Sequence, residues 1–416
     1  MKVLIVTLGS RGDVNPFLVV GLKLKQKGHE VVFCCEENFR RLAEGFGLRF
    51  IPHLNSTEHD EVANDPNLWH YRKALPTFCE KSLVPNLRKI YRIIEQERAG
   101  DFLVISNPFA FAAKIAEEKL GIKLVQLHLW PSLFRTLQDT SQVGRLPMHE
   151  SLPTFYKKCV WWLIDACILD PCIKKELNRF RKGLGLKPSM RIMHNWWFSK
   201  HYNAMVFSEH FAEKQKDWPE PSEVFDFLCF DGEEGISTEA EKFLHQGSRP
   251  IVFTSGTAFN FGKSFFQESL KALRKLTLRG IFLTQNQGDI PEELPEYIFA
   301  CNFLPLGKIL PRCSAIVHHG GIGTLAQAAK AGIPQLIRPL AFDQPDNAYR
   351  IYKRKLGNYI LAHHYKADKL YKKLQKILND EEIKANCIEI SKKINSDRAL
   401  ENLVQRIEDK SVAVLS

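Results

Sequence analysis

The sequence predicts an α/β protein made of two doubly wound, parallel-sheet domains of the Rossmann-like kind, and three observations predict it. The chain has 416 residues, more than one hydrophobic core usually organises, so two domains of roughly 200 residues are expected. Short apolar strands alternate with helical patterns twice over. Each strand–helix–strand connection is short, which implies parallel pairs with right-handed crossovers. The strands are also nearly continuous apolar runs, as in parallel sheets covered on both faces.

Taken in order, Lys2 to Thr7 reads as a strand that enters a glycine loop, Gly9-Ser10-Arg11-Gly12. A helical pattern runs from Pro16 to Lys27 and stops at Gly28-His29, and Glu30 to Cys35 is the second strand. Phe102 to Ser106 is a strand, Ala110 to Leu120 a helix and Lys123 to His128 a strand. A second series follows the acidic connector Asp231-Gly232-Glu233-Glu234-Gly235. It has strands at Pro250 to Thr254, Gly280 to Thr284, Ala315 to Val317 and Pro334 to Arg338, with a helix at Thr324 to Ala331. The expected division is an N-terminal domain at 1–230, a linker at 231–249 and a C-terminal domain at 250–416. The charged helical tail after Ala367 either packs on its own domain or crosses back to the first. Such sheets bind ligands outside the carboxyl ends of their strands, so two of them facing each other leave an interdomain cleft as the expected site.

Composition excludes several classes. Apolar residues make up 44% and charged residues 25%, as in ordinary globular proteins. The net charge of +11 suits an anionic partner. The basic residues are spread along the chain and no helix-turn-helix, zinc-finger or RNP pattern is present, so nucleic acid is not expected. Ten cysteines show no CxxC pair and no Cys/His ligand spacing, which points to reduced thiols; Cys34-Cys35 reads as strand core. Met1 to Thr7 is too short for a signal peptide, and a cytoplasmic protein is expected. Between Phe155 and Tyr202, Trp161, Trp162, Trp196 and Trp197 alternate with Lys157, Lys158, Lys174, Lys175, Arg179, Arg181 and Lys182. The apolar part, Cys159 to Leu169, is far shorter than the roughly 20 residues that span a bilayer. It reads as a pair of amphipathic helices, with peripheral contact at the inner face of an anionic membrane as the lesser alternative.

The richest segment is Ala315-Ile316-Val317-His318-His319-Gly320-Gly321-Ile322-Gly323-Thr324. A strand runs into a turn with three glycines and then a helix. The amides and dipole at such a helix start favour a phosphate, and a hydroxyl and an imidazole add donors. The bland alternative is a tight turn with two filler histidines. On the next strand–loop–helix unit, Arg338-Pro339-Leu340-Ala341-Phe342-Asp343-Gln344-Pro345-Asp346-Asn347 sets a carboxylate beside an amide. That pair suits vicinal hydroxyls, although Asp343 equally suits a helix N-cap. The two loops neighbour each other at one sheet edge, and a phosphate grip beside a sugar grip describes a nucleotide-sugar site.

On these residues, with Gly9-Ser10-Arg11-Gly12-Asp13-Val14-Asn15-Pro16, the chain resembles the inverting GT-B glycosyltransferases of family 1 and their family 28-like relatives over nearly its whole length. The resemblance is greatest to bacterial rhamnosyltransferases of glycolipid synthesis, then to sterol and antibiotic glycosyltransferases. It implies hexose transfer, of rhamnose or glucose type, from a dTDP- or UDP-sugar to a hydroxyl of a lipophilic acceptor. His319, Gly321, Gly323, Thr324, Gly256 and Thr257 would hold the diphosphate, with Arg11 near it. Phe303 and Leu304 would flank the base, Phe303 standing where many relatives have Trp. Asp343 and Gln344 would bind sugar hydroxyls, and His318 would be structural.

One departure stands out. Gln327 occupies the place where many UDP-sugar enzymes carry the Glu that holds the ribose, which gives weight to a dTDP-sugar. The base would be Asp13, as in the glycopeptide and sterol branches. Burial would have to raise its pKa while the helix start pulls it down, and its bland reading is a helix N-cap. No metal or other cofactor is implied. An aromatic region from Trp130 to Phe207 either lines an apolar acceptor pocket or is plain core. Three alternatives remain: a nucleotide-sugar epimerase, a non-catalytic nucleotide-sugar binder, and a dinucleotide oxidoreductase. The last lacks full GxGxxG spacing and has only Glu36 at the end of the second strand.

Overall fold

The computed structural model describes residues 1–141, 148, 151–232, 234–257, 259 and 262–412; Glu233 of the acidic connector lies outside them. The chain divides into two compact units. One comprises Met1–Leu68, Arg72–Leu228 and Ser396–Ser416, the other Trp69–Tyr71 and Cys229–Asn395.

The first unit runs β1 (Lys2–Val6), α1 (Arg11–Gln26), β2 (Glu30–Glu36), β3 (Arg49–Leu54), α2 (Val84–Glu97), β4 (Phe102–Ser106), α3 (Phe111–Leu120), β5 (Lys123–His128), α4 (Thr154–Ile164), α5 (Asp170–Gly183), β6 (Tyr202–Met205) and β7 (Ser222–Val224). All seven strands are parallel, in the order β3-β2-β1-β4-β5-β6-β7. Val3 to Val6, Cys34 and Cys35 are fully buried, as apolar runs covered on both faces require.

The second unit runs α6 (Thr238–His245), β8 (Ile251–Thr254), α7 (Lys263–Leu276), β9 (Gly280–Leu283), β10 (Ile298–Cys301), β11 (Ala315–His318), α8 (Ile322–Ala331), β12 (Gln335–Ile337), α9 (Gln344–Lys353), β13 (Gly357–Tyr359), α10 (Ala367–Asn379) and α11 (Glu381–Lys393). Its six strands are also parallel, in the order β10-β9-β8-β11-β12-β13. The strand order of each sheet turns around beside one strand, β1 in the first and β8 in the second. These switch points are where doubly wound sheets hold ligands. Thr254 and His318 are register partners at the second one, so the loops after β8 and β11 leave side by side.

Four boundaries differ from the sequence reading, the two helix starts among them for a local reason. Helix α1 begins at Arg11 rather than Pro16, because Ser10 and Asp13 form a capping box ahead of it. Pro16 then lies inside the helix, where it donates no bond to Gly12. Helix α8 begins at Ile322, with Gly321 as N-cap, rather than at Thr324. The tail is also split. Helices α10 and α11 stay with the second unit, as expected of 250–416, but the last helix, α12 (Ser396–Val412), belongs to the first. Its Leu403, Val404 and Ile407 are fully buried. Its acids meet basic residues on α1 and just beyond its end: Lys23 pairs with Glu401, and Glu408 accepts from Lys27 at 2.6 Å and His29 at 2.9 Å. Arg406 grips Glu223 through two bonds of 2.6 and 2.7 Å. The second unit likewise begins at Cys229 and includes α6, so the segment expected as a linker is part of its fold.

Candidate active site

In the second unit, β11 delivers His318 and His319 into the turn ahead of α8. His318 is fully buried. Its Nδ1 accepts from the Gly320 amide at 3.1 Å, and its Nε2 lies 3.0 Å from Gln335 Oε1. An accepting Nδ1 puts the proton on Nε2, and burial pushes the pKa down to about 3. His318 is therefore a neutral brace that shapes the turn, as the sequence reading holds.

His319 is different. Burial pushes its pKa down to about 4, so it is neutral at pH 7, yet its buried Nδ1 has no hydrogen-bond partner among the described residues. A buried polar atom without a partner calls for an explanation such as a ligand. The ring is wedged between two glycines. A β-carbon on Gly256 would stand 2.7 Å from Cε1 and 2.8 Å from Nε2, and one on Gly321 would collide with Nε2. Gly256 also adopts φ +93°, a conformation that favours glycine. Gly321, the N-cap of α8, has no side chain to cap the helix. The first amides of α8, at Ile322, Gly323 and Thr324, therefore have no intrahelical partner, and they lie beside an imidazole that lacks one too. Thr257 is exposed in the β8 loop and Thr324 half-buried at the third position of α8.

The Asp-Gln loop is tied to this turn through Asn347, to which the sequence reading gave no role of its own. Asn347 is fully buried; its amide donates to the Gly320 carbonyl at 2.9 Å and to Asp343 Oδ2 at 2.6 Å. One side chain thus fixes the glycine turn and the carboxylate together. Asp343 occupies the N-cap position of α9 but its side chain makes no capping bond. Gln344 is buried, and its carbonyl accepts from the Leu340 and Ala341 amides at 2.9 and 3.3 Å, which leaves its amide nitrogen for a ligand. Phe342, before the pair, is exposed and sits at φ +58°, a strained setting for a bulky residue.

Of the two residues expected at the base, Phe303 is half-buried and Leu304 is buried in the core with Val252, Leu310 and Ile316. That is a correction for the Leu304 side chain: its apolar surface is spent on the core. Gln327 is buried and donates to Asp231 Oδ1 at 3.0 Å.

In the first unit, Asp13 is the third residue of α1. The Ser10 amide and hydroxyl both donate to its Oδ2, each at 2.8 Å. Asp13 is therefore the acid of a capping box rather than the N-cap itself. Burial pushes its pKa up to about 6, against the pull of the Ser10 bonds. Gly9, at φ +123°, makes room: a β-carbon there would stand 2.6 Å from Oδ2. Glu36 is buried and committed, accepting from the Gly9 amide at 2.9 Å and the Cys35 thiol at 2.8 Å. These two bonds tie Glu36 to its own strand end and to the glycine loop. Arg11, half-buried, opens the same helix. Asp13 and Arg11 lie on the first unit, and all the other assigned residues on the second.

Much of the aromatic region from Trp130 to Phe207 is core. Phe134 stacks on Trp218 at 4.4 Å and on Phe198 at 5.6 Å, and Trp197 meets Phe109 at 5.6 Å. Residues 142–147, 149 and 150 of that region lie outside the described ones.

Two parallel doubly wound units, one with an uncapped, glycine-flanked helix start beside an imidazole with an unpartnered nitrogen, define an α/β protein of the GT-B type. The chain carries the glycosyltransferase family 28 N-terminal domain at residues 3–128 and the erythromycin biosynthesis protein CIII-like C-terminal domain at residues 279–409, and it is a GT-B glycosyltransferase. It is 28% identical to a sterol 3-beta-glucosyltransferase of Arabidopsis thaliana over 86% of this chain, which spans 59% of that enzyme's length. Among solved structures, the spinosyn rhamnosyltransferase superposes with a TM-score of 0.71 at 17% identity, covering 98% of this chain and 100% of that one. A Streptomyces sp. SF2575 glycosyltransferase complexed with thymidine diphosphate gives a TM-score of 0.64 at 17% identity, covering 98% and 99%.

Proposed function

We propose that the protein is an inverting hexosyltransferase that moves a rhamnose- or glucose-type sugar from a dTDP- or UDP-sugar to a hydroxyl of a lipophilic acceptor. The observation that carries the donor assignment is the His319 imidazole, whose buried Nδ1 has no hydrogen-bond partner among the described residues, next to the open amides of α8. A neutral imidazole N–H, the α8 amides and the hydroxyls of Thr324 and Thr257 form a preorganised set of donors for a diphosphate. Such a site stabilises charge most where it develops, on the departing nucleoside diphosphate. Asp343 and Gln344 take sugar hydroxyls. Asp13 accepts the acceptor's proton as its oxygen bonds to the anomeric carbon and the bond from that carbon to the diphosphate breaks on the opposite face. A positioned general base contributes about 10²–10⁴-fold. Relatives named for a sterol and for spinosyn support a lipophilic acceptor and a hexose, and the thymidine diphosphate complex supports a dTDP-sugar.

Turnover without acceptor tests this reading. Incubated with a panel of dTDP- and UDP-sugars, the protein should slowly release free nucleoside diphosphate from one of them. Binding of NAD(P) with no nucleotide-sugar binding would overturn it.

We infer also that the first unit docks on an anionic membrane through α4 and the stretch from it into α5, which would bring the enzyme to a lipid acceptor. Phe155, Trp162, Leu163 and Ile168 are each at least half exposed, and Lys158 and Lys175 stand exposed among them. Aromatic residues with basic neighbours suit the interface of an anionic leaflet. Among the described residues no helix is long and apolar enough to cross a membrane. The protein should co-sediment with phosphatidylglycerol vesicles, and the double variant Phe155→Glu/Trp162→Glu should not, with donor hydrolysis unchanged. Equal sedimentation of both would refute the docking.

A further inference from the structure

We propose that Asp231, a residue of the connector and not of the helix that carries Gln327, supplies the carboxylate that recognises the ribose of the donor. The inference rests on the donor reading above and deepens it, because it names the sugar of the nucleotide as ribose rather than 2′-deoxyribose.

Gln327 is buried on α8, one turn beyond Thr324 and its diphosphate donors. A lone amide there would be a poor substitute for a carboxylate, since one of its two ends donates. The amide is not alone. Its Nε2 donates to Asp231 Oδ1 at 3.0 Å, and the Gly307 amide donates to the same oxygen at 2.9 Å. Both bonds orient the carboxylate. They also turn the donating end of Gln327 away, so that its Oε1 is presented as an acceptor. Among the described residues the other carboxylate oxygen, Oδ2, has no hydrogen-bond partner.

Gly307 shows where the two acceptors lie. A β-carbon at that position would collide with Asp231 Oδ2 and approach Gln327 Oε1 to 3.1 Å. Both oxygens therefore reach over one glycine, three residues beyond the Phe303-Leu304 stretch assigned to the base. Two neighbouring acceptors, one of them charged, match two vicinal hydroxyls, each of which donates one bond. A 2′-deoxyribose would leave one of them unused. The replacement of Glu by Gln at position 327 is thus compensated by a carboxylate delivered from 96 residues away, and the reason it offered for a deoxyribonucleotide disappears.

Calorimetric titration of the full chain with UDP and with 2′-deoxy-UDP tests the assignment. The wild type should bind UDP about tenfold or more tightly than its 2′-deoxy counterpart, in keeping with a hydrogen bond to a charged group. Asp231→Asn keeps an oxygen for Gly307 and Gln327 but turns the free acceptor into a donor, so the preference should fall to about twofold or less. The double variant Asp231→Asn/Gln327→Glu, which moves the carboxylate across the pair, should regain it. Equal wild-type affinity for the two nucleotides would overturn the proposal without need of any variant. So would an Asp231→Asn protein that keeps the full preference, which would reduce Asp231 to a tether of the connector. Failure to bind either nucleotide, or any nucleotide-sugar, would instead overturn the donor reading on which this rests.

Discussion

Replacing Asp13 by Asn should lower the rate of sugar transfer by about 10²–10⁴-fold while leaving donor affinity within about twofold, and it should make the protein more stable at neutral pH. The two effects have one cause. Asp13 is held in a setting that resists its charge, with its pKa pushed up to about 6 from an ordinary 3.8. That is a good place for a base: it is ionised at pH 7, yet basic enough to take a proton. The wild-type rate should therefore fall about tenfold per pH unit below 6 as the carboxylate protonates. For stability the sign is opposite to that of a salt-bridged acid. A folded-state pKa above the unfolded one means the folded state binds the proton more tightly. The stabilisation is complete below about pH 3.8 and is lost as pH rises through 6. Above pH 7 the ionised wild type should be less stable than Asp13→Asn by about 1–3 kcal/mol, and at pH 4 the two should nearly coincide. Asn can accept both Ser10 bonds through its carbonyl, so the capping box survives. Parallel kinetics and denaturant titrations at pH 4 and 8 check both halves. A variant that transfers sugar at near the wild-type rate would remove Asp13 from catalysis, and one that is no more stable at pH 8 would show that its charge costs nothing there.

The same residue shows how far the sequence could be read. Strand and helix alternation is a pattern of neighbours along the chain, so both parallel sheets and the glycine turns at their switch points were legible. Helix starts were less so. Pro16 and Thr324 each carry a recognised preference for a first turn, but the capping box at Ser10 and the side-chain-free cap at Gly321 won by satisfying or exposing backbone amides further upstream. Contacts that depend on which face a side chain takes could not be read at all. Leu304 turns into the core although Phe303 does not. Asn347 reaches back 27 residues to the Gly320 carbonyl, and Gln327 meets Asp231 across 96. The fate of the tail was decided by long-range complementarity, with Glu401, Arg406 and Glu408 meeting Lys23, Glu223 and Lys27. No local window of sequence contains that information.

His319→Ala and Gly256→Ala should each weaken binding of the donor nucleotide, and they should not add. On the proposed role of His319, removing the imidazole deletes one hydrogen bond to a charged diphosphate, about 1.5–3 kcal/mol or roughly 10–150-fold in Kd. Gly256→Ala acts on the same ring from outside. Its β-carbon would stand 2.7 to 3.0 Å from three atoms of the imidazole, and rings do not tolerate such an approach, so His319 must leave its place between Gly256 and Gly321. Backbone strain adds to this, because φ at 256 is +93° and a residue with a β-carbon pays about 1–2 kcal/mol in left-handed conformations. With His319 already shortened to Ala the clash disappears and only the strain remains. The double variant should therefore bind the nucleotide about as weakly as His319→Ala alone, while its unfolding free energy falls by the strain. A double-mutant cycle on donor affinity measures the difference, since residues in contact couple and distant ones do not. Simple addition of the two losses would mean that the ring is not what Gly256 protects, and that the two turns hold the diphosphate independently.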